Sequence, residues 1–139
     1  MSWVMNQTLS SPLPVFHDRD CDLSIIRGNQ DIIGTMIFGG VFERHPDLRV
    51  VCAEADAGWV PHFTYRMDHA FKRHRFWMET GAIQQLPSEY FYENIYVTFQ
   101  DDAAATQNVD ERVLRRVMWA NDFPHSDSTW PWSQEMLAQ

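Results

Sequence analysis

The segment VMWANDFPHSD (residues 117–127) changes from apolar to polar within a few positions. Its first four residues have the composition of a short buried strand, and carboxylates and an imidazole follow at once. In β/α folds the carboxyl ends of parallel strands carry the chemistry. Asp122, with His125 three residues later, is therefore a candidate metal ligand or proton-transfer group. A turn in which Asp122 caps the backbone and Pro124 ends the strand explains the same residues equally well.

The rest of the chain alternates between strand and helix patterns. Continuous apolar runs and helical spacing of apolar residues predict elements of both kinds. Strands are predicted over residues 13–16, 48–53, 94–100 and 117–121, and helices over 30–44, 56–77, part of 103–116, and 132–139. The run 48–53 is typical of a strand covered on both faces, and Asp56 is predicted to cap the helix that follows it. Such alternation predicts a parallel sheet with right-handed crossovers.

Each predicted strand ends in polar residues. These ends are His17-Asp18, Glu54 to Asp56, Gln100 to Asp102, and Asn121-Asp122. Carboxyl ends of parallel strands meet at one edge of a sheet, so the pattern predicts a shared acidic site there. The alternative is that βα loops are generally polar and that aspartates cap helices.

Composition limits the classes of function. The chain has 139 residues, 45% hydrophobic residues and a net charge of -8, which indicates one domain with a core and argues against a nucleic-acid or anionic-membrane surface. Two cysteines make no disulfide framework, so we expect a protein of the reducing cytoplasm. The first residues do not have the pattern of a signal peptide, and no apolar run approaches the roughly 20 residues of a membrane span.

Three long segments, in this order, resemble the amidohydrolase-2 family. They are GGVFERHPDLRVVCAEADAGWVPHFTYRMDHAFKRHRFW (residues 39–77), LPSEYFYENIYVTFQDD (86–102) and MWANDFPHSDSTWPWS (118–133). This branch of the metal-dependent amidohydrolases includes aminocarboxymuconate-semialdehyde decarboxylase and the resorcylate-type decarboxylases. The resemblance covers residues 24–139 and extends to residues 13–17.

The resemblance implies an α/β fold, a (β/α)8 barrel with a divalent metal at its carboxyl end. The family holds the metal with a His-x-His after the first strand, a His after the fifth and an Asp after the eighth. Asp122 matches the eighth-strand Asp, and His17 resembles the fifth-strand His. Zn²⁺ is the first expectation and Mn²⁺ the second, although one carboxylate and one imidazole do not choose between them.

Two departures from the family pattern qualify this interpretation. None of the six histidines forms a His-x-His pair, and a complete barrel needs about 250 residues. The chain thus reads as a partial TIM barrel of about four C-terminal βα units: residues 13–139 form the C-terminal half, and 1–12 form a segment of unclear structure. Glu54 stands where many members carry a catalytic His. A carboxylate can bind a metal or act as a base but cannot supply an imidazolium, which counts against decarboxylation and keeps hydrolysis open.

The remaining candidates are assigned by position. His125 and Glu54 join Asp122 as candidate catalytic groups, while His62 and Trp130 are candidate substrate contacts. The expected activity is that of a metal-dependent hydrolase or carboxy-lyase acting on a small carboxylated or aromatic substrate. The alternative is a catalytically incomplete half-barrel. Its open sheet would self-associate as a homo-oligomer or pair with a complementary half, and it is open whether such a chain binds metal alone.

Overall fold

The computed structural model of the chain describes residues 21–77, 81–107 and 110–138. Its elements alternate between helices and strands, as the sequence predicts. They are α1 (Cys21–Phe38), α2 (Val41–Arg44), β1 (Val50–Cys52), α3 (Val60–His74), α4 (Pro87–Asn94), β2 (Ile95–Phe99), α5 (Ala103–Gln107), α6 (Glu111–Leu114), β3 (Val117–Trp119) and α7 (Ser133–Leu137). The segment 1–12, the predicted strand at 13–16 and His17 lie outside the described residues.

The three strands form one parallel sheet in the order β1-β2-β3. Cys52 pairs with Val97, and Val97 pairs with Val117, so all three strands end at the same edge. Helices connect each strand to the next, which is the connection that parallel neighbours require. The prediction of successive parallel βα units is confirmed for these three strands.

The core lies on one face of the sheet. Alternate strand residues Cys52, Ile95 and Val97 are buried there, and Val60 of α3 and Phe91 of α4 are also part of this core. Burial of such apolar side chains, worth roughly 1.5–3 kcal/mol each when complete, is the main stabilising contribution. We call this side of the sheet the covered face.

The opposite side, here called the open face, has far less cover. Val51 is 54% exposed and Met118 is 39% exposed, and their register partners Tyr96 and Thr98 are only partly buried. The prediction that β1 is covered on both faces is therefore wrong for the described residues. An apolar run predicts burial on both faces, but the described elements around β1 cover only one of them.

Local sequence explains most of the differences in helix bounds. The predicted helix at 30–44 divides after Phe38, because Gly40 takes a left-handed φ of 67° that glycine adopts readily. Asp56 does not cap α3: the N-cap is Trp59, with no side-chain cap, and Asp56 itself has a left-handed φ of 51°. The unassigned stretch before β2 contains α4, which has a proline in its first turn.

Asp102 fixes the helices to the sheet at the strand ends. One carboxylate oxygen accepts hydrogen bonds from the backbone N–H groups of Ala57 and Gly58, at 2.9 and 2.7 Å. The other accepts from Ala104 and Ala105 at the start of α5, at 3.0 and 3.1 Å. A Cβ on Gly58 would come within 2.5 Å of the Ala104 Cβ, so glycine is required where these two loops meet.

Candidate functional site

A cavity of about 270 Å³ opens at the carboxyl ends of the three strands. Both acidic side chains and apolar side chains of α1 and β2 line it. The lining residues are Ile25, Ile26, Ala53, Glu54, Asp56, Thr98, Phe99, Gln100, Ala120, Asp122 and Asp127. The cavity thus lies at the edge of the sheet where the sequence predicts a shared acidic site.

Glu54, Asp122 and His125 converge beside this cavity. One potential ligand atom from each lies within 4.8 Å of the other two. Glu54 follows β1 and Asp122 follows β3, so two non-adjacent strands of the sheet supply the carboxylates. The structure brings together all three residues that the sequence analysis named as candidate catalytic groups.

Asp122 and His125 form a direct pair. Nδ1 of His125 lies 2.7 Å from Oδ1 of Asp122, and the Asp122 side chain is only 14% exposed while that of His125 is 67% exposed. The hydrogen bond to Asp122, its charge and the charge of Glu54 raise the pKa of His125. The pair therefore favours a protonated imidazole beside Asp122 and Glu54.

Asp56 is a further carboxylate in the cavity, which the sequence analysis assigned to helix capping. Burial raises its pKa, and the charges of Asp102, Asp127 and Asp101 add to that increase, while a backbone hydrogen bond from Gln100 opposes it. A half-buried carboxylate among other carboxylates holds its proton more tightly than an exposed one. Its place after β1, two residues beyond Glu54, was the signal in the sequence.

Three of these carboxylate residues have an uncommon backbone conformation. Glu54, Asp56 and Asp122 have left-handed φ values of 55°, 51° and 54°. Such conformations are costly for residues with a side chain and concentrate at functional sites. After β1 and after β3 the backbone therefore leaves the strand through a left-handed residue, and the three acidic residues line the cavity.

The loop after β3 is held by its own polar groups. The Asn121 carbonyl accepts hydrogen bonds from Ser128 Oγ at 2.6 Å and from the Thr129 N–H at 3.2 Å. Gln100 Nε2 donates to the Asp127 carboxylate at 2.5 Å and thereby connects this loop to the end of β2. Asp122 thus lies in a loop that is held by hydrogen bonds within itself and to the end of β2.

Other predicted site residues lie apart from the acidic group. Trp130 is exposed and packs edge-on against Phe123, with ring centroids 5.3 Å apart, and His62 is exposed in the first turn of α3. Neither residue lines the cavity in the part of the chain that the structure describes. Asp102, expected among the acids of the shared site, has its carboxylate occupied by backbone N–H groups instead.

The donor set is compatible with a divalent cation. Two carboxylates and one imidazole are ligand types that both Zn²⁺ and Mn²⁺ accept. Glu54 and Asp122 would supply the carboxylate ligands of such a site, and the His125 imidazole lies close to both of them. No helix in the ranges described here is long and apolar enough to cross a membrane.

Comparison with known proteins supports the α/β fold of the chain. A solved structure, that of 5-carboxyvanillate decarboxylase LigW from Sphingomonas paucimobilis, matches with a TM-score of 0.60 and 25% sequence identity. The match covers 76% of this chain and 32% of that chain, so this chain spans about a third of its length and corresponds to part of a (β/α)8 barrel. No curated protein matches the chain. The family model described as Amidohydrolase matches residues 30–139, and the chain belongs to the amidohydrolase-2 family.

Proposed function

We propose that this chain carries part of the active site of a metal-dependent hydrolase or carboxy-lyase that acts on a small carboxylated or aromatic substrate. The observation that carries the proposal is the convergence of Glu54, Asp122 and His125 at the cavity. Family membership supports the metal dependence. Similarity to 5-carboxyvanillate decarboxylase LigW supports an aromatic carboxylate as the first substrate to test.

The acidic residues would hold the cation, and the imidazole would move protons. Glu54 and Asp122 supply carboxylate oxygens, and His17, which lies outside the described residues, is a further candidate ligand. A bound Zn²⁺ or Mn²⁺ supplies a Lewis acid and lowers the pKa of a bound water. His125, held by Asp122, can donate its proton to a leaving group or take one from an attacking water.

The apolar part of the cavity would accept the substrate's ring. Ile25 and Ile26 of α1 and Phe99 of β2 line the cavity together with the carboxylates. An apolar wall excludes water and strengthens the electrostatic interactions of the polar groups beside it. His62 and Trp130 stay proposed substrate contacts, which would require a substrate that extends beyond the cavity.

Metal binding by purified variants tests the proposal directly. We expect Zn²⁺ or Mn²⁺ to bind with a stoichiometry near one, and Glu54→Gln and Asp122→Asn each to weaken binding at least roughly 10-fold. Asp47→Asn, in an exposed turn away from the cavity, is the matched control and should bind like the wild type. Loss of CO2 from 5-carboxyvanillate is the first activity to measure. Absence of metal binding by the wild type contradicts the proposal.

A second candidate function is that of a half-barrel whose activity requires the remaining strands. The open face and the free edges of the described sheet favour it: β1 and β3 each pair only with β2 among the described strands. Exposed edges and apolar faces promote association. We propose that a complementary half-barrel covers the open face, and that in the isolated chain a second copy takes that place.

Sedimentation velocity tests this second candidate. We expect the wild-type chain to self-associate as its concentration rises, and Met118→Glu on the open face to reduce that association. Leu114→Glu, at a residue of α6 that is 54% exposed, is the control for an added charge away from the sheet. A wild-type chain that is monomeric at every concentration and binds no hydrophobic dye contradicts this candidate.

A further inference from the structure

We propose that Thr98 is a positioning residue that holds Glu54 at the candidate metal centre. The inference deepens the proposed function, since it concerns the same cavity. The hydroxyl oxygen of Thr98 accepts a hydrogen bond of 2.9 Å from the backbone N–H of Glu54, across 44 positions of sequence. Thr98 and Glu54 both line the cavity, so the contact lies at the candidate site.

The hydrogen bond continues the pairing of β1 and β2 at the point where main-chain pairing ends. The last pair of this ladder joins Cys52 to Val97. Beyond it the chain turns, and the backbone of Glu54 finds its acceptor on the Thr98 side chain instead of on a carbonyl group. A side chain of β2 therefore holds the backbone of Glu54, two residues beyond the end of β1.

Glu54 needs such support because its backbone is strained. Its φ of 55° is left-handed, a conformation that costs a non-glycine residue roughly 1–2 kcal/mol. Glu54 is also exposed, so side-chain packing contributes little to holding it. Without the Thr98 acceptor, we expect the backbone of Glu54 to sample ordinary φ values, which would move its carboxylate away from Asp122.

Asp122 does not depend on this contact. Its loop is held through the Asn121 carbonyl, with hydrogen bonds from Ser128 and Thr129. Removing the Thr98 hydroxyl should therefore disturb one ligand and leave the other in place. This independence makes the role of Thr98 separable from a general loosening of the site.

Zn²⁺ titration of four variants tests the proposal. Thr98→Val keeps the shape and removes the acceptor, and we expect about 10-fold weaker Zn²⁺ binding, as for other residues that support metal ligands. Thr98→Ser keeps the hydroxyl and should bind within about 3-fold of the wild type. In a Glu54→Gln background, Thr98→Val should cause no further loss, because the residue through which it acts is already changed. An undiminished affinity in Thr98→Val, or an equal loss in the Glu54→Gln background, overturns the proposal.

NMR of the metal-free chain separates this proposal from the proposed function. A left-handed residue gives a strong NOE between its own amide proton and Hα, and Thr98→Val should weaken that NOE at Glu54. An unchanged NOE overturns the role of Thr98 whether or not the metal binds. If the NOE weakens but the wild type binds no Zn²⁺, the proposed metal function fails while the positioning of Glu54 by Thr98 is supported.

Discussion

The two faces of the sheet both carry apolar side chains, and these side chains have very different surroundings. On the covered face Val97 is completely buried, whereas on the open face Val51 is 54% exposed, although both are valines of neighbouring strands. Helices α3 and α4 pack together, and α4 also contacts β2. The contrast shows that the described segment is stabilised by its helix-covered side, whereas Val51 and Met118 on the other side are apolar residues left exposed.

The largest expected effect comes from Asp102, whose carboxylate connects the loop after β1 to the start of α5. Asp102→Ala removes an acceptor used by four backbone N–H groups, and we expect the free energy of unfolding to fall by about 3 kcal/mol. Asp101→Asn, at an exposed neighbouring position, should change it by less than about 0.5 kcal/mol. Urea denaturation measures both. Equal effects of the two substitutions would show that the hydrogen bonds of Asp102 do not stabilise the fold.

A matched pair of valines tests the comparison of the faces directly. Val97→Ala removes buried methyl groups from the covered face and should lower the free energy of unfolding by about 2 kcal/mol. Val51→Ala on the open face should lower it by no more than about 0.5 kcal/mol. The measurement is urea denaturation at a concentration where the chain is monomeric. A large effect of Val51→Ala would mean that the open face is covered in solution.

Asp56→Asn should stabilise the chain, because the cavity disfavours a charged group at this position. Burial, with Asp102, Asp127 and Asp101 nearby, raises the pKa of Asp56, and asparagine tolerates a left-handed φ better than most residues. At pH 7 we expect a gain of about 0.5 kcal/mol in the free energy of unfolding.

The pH dependence of that gain identifies its cause. The folded-state pKa of Asp56 is raised, so its carboxylate opposes folding above that pKa and ceases to do so once it is protonated. The advantage of Asp56→Asn should therefore shrink as the pH falls through the raised pKa. Asp47→Asn is the control and should show no such trend. A gain that persists in acid would point to backbone conformation alone.

The smallest effect is expected at His125, whose side chain is 67% exposed. In metal-free protein its pKa should lie above the ordinary value of about 6.5, since Asp122 accepts a hydrogen bond from the protonated ring. The stabilisation from this pair is complete below the unfolded-state pKa and is lost as the pH rises through the folded-state pKa. NMR titration of the His125 ring in Asp122→Asn should show a lower pKa. An unchanged value would contradict the pairing.

Much of the sheet could be predicted from the sequence, because apolar runs bounded by polar residues are strong signals. β2 and β3 lie within the predicted strands, and β1 lies within residues 48–53. Helix α4 was missed because Gly81 and Pro87 look like breakers, whereas a proline in the first turn favours the start of a helix. Exposure of Val51 could not be predicted, since an apolar run does not reveal which neighbours are present.

The sequence predicts the carboxylates of the candidate site but not the residues that hydrogen-bond to the loops carrying them. Glu54 and Asp122 follow apolar strands, which is a pattern that the sequence displays. Thr98 and Gln100 act through contacts with residues far away in the chain, and their own neighbourhoods carry no sign of them. Asp56 and Asp102 have the same residue type in similar positions, and only the structure shows that one faces a cavity while the other binds backbone N–H groups.

Cys52, on the covered face of β1, can report chemically when the helices move away from the sheet. Its side chain is buried, and burial raises the pKa of the thiol to about 11, so the reactive thiolate is scarce while the helices stay in place. In a Cys21→Ser background, a thiol reagent would modify Cys52 only during excursions that expose the covered face. The rate of labelling then reports how often the covered face becomes exposed. This rate can be measured both when the open face is free and when it is occupied.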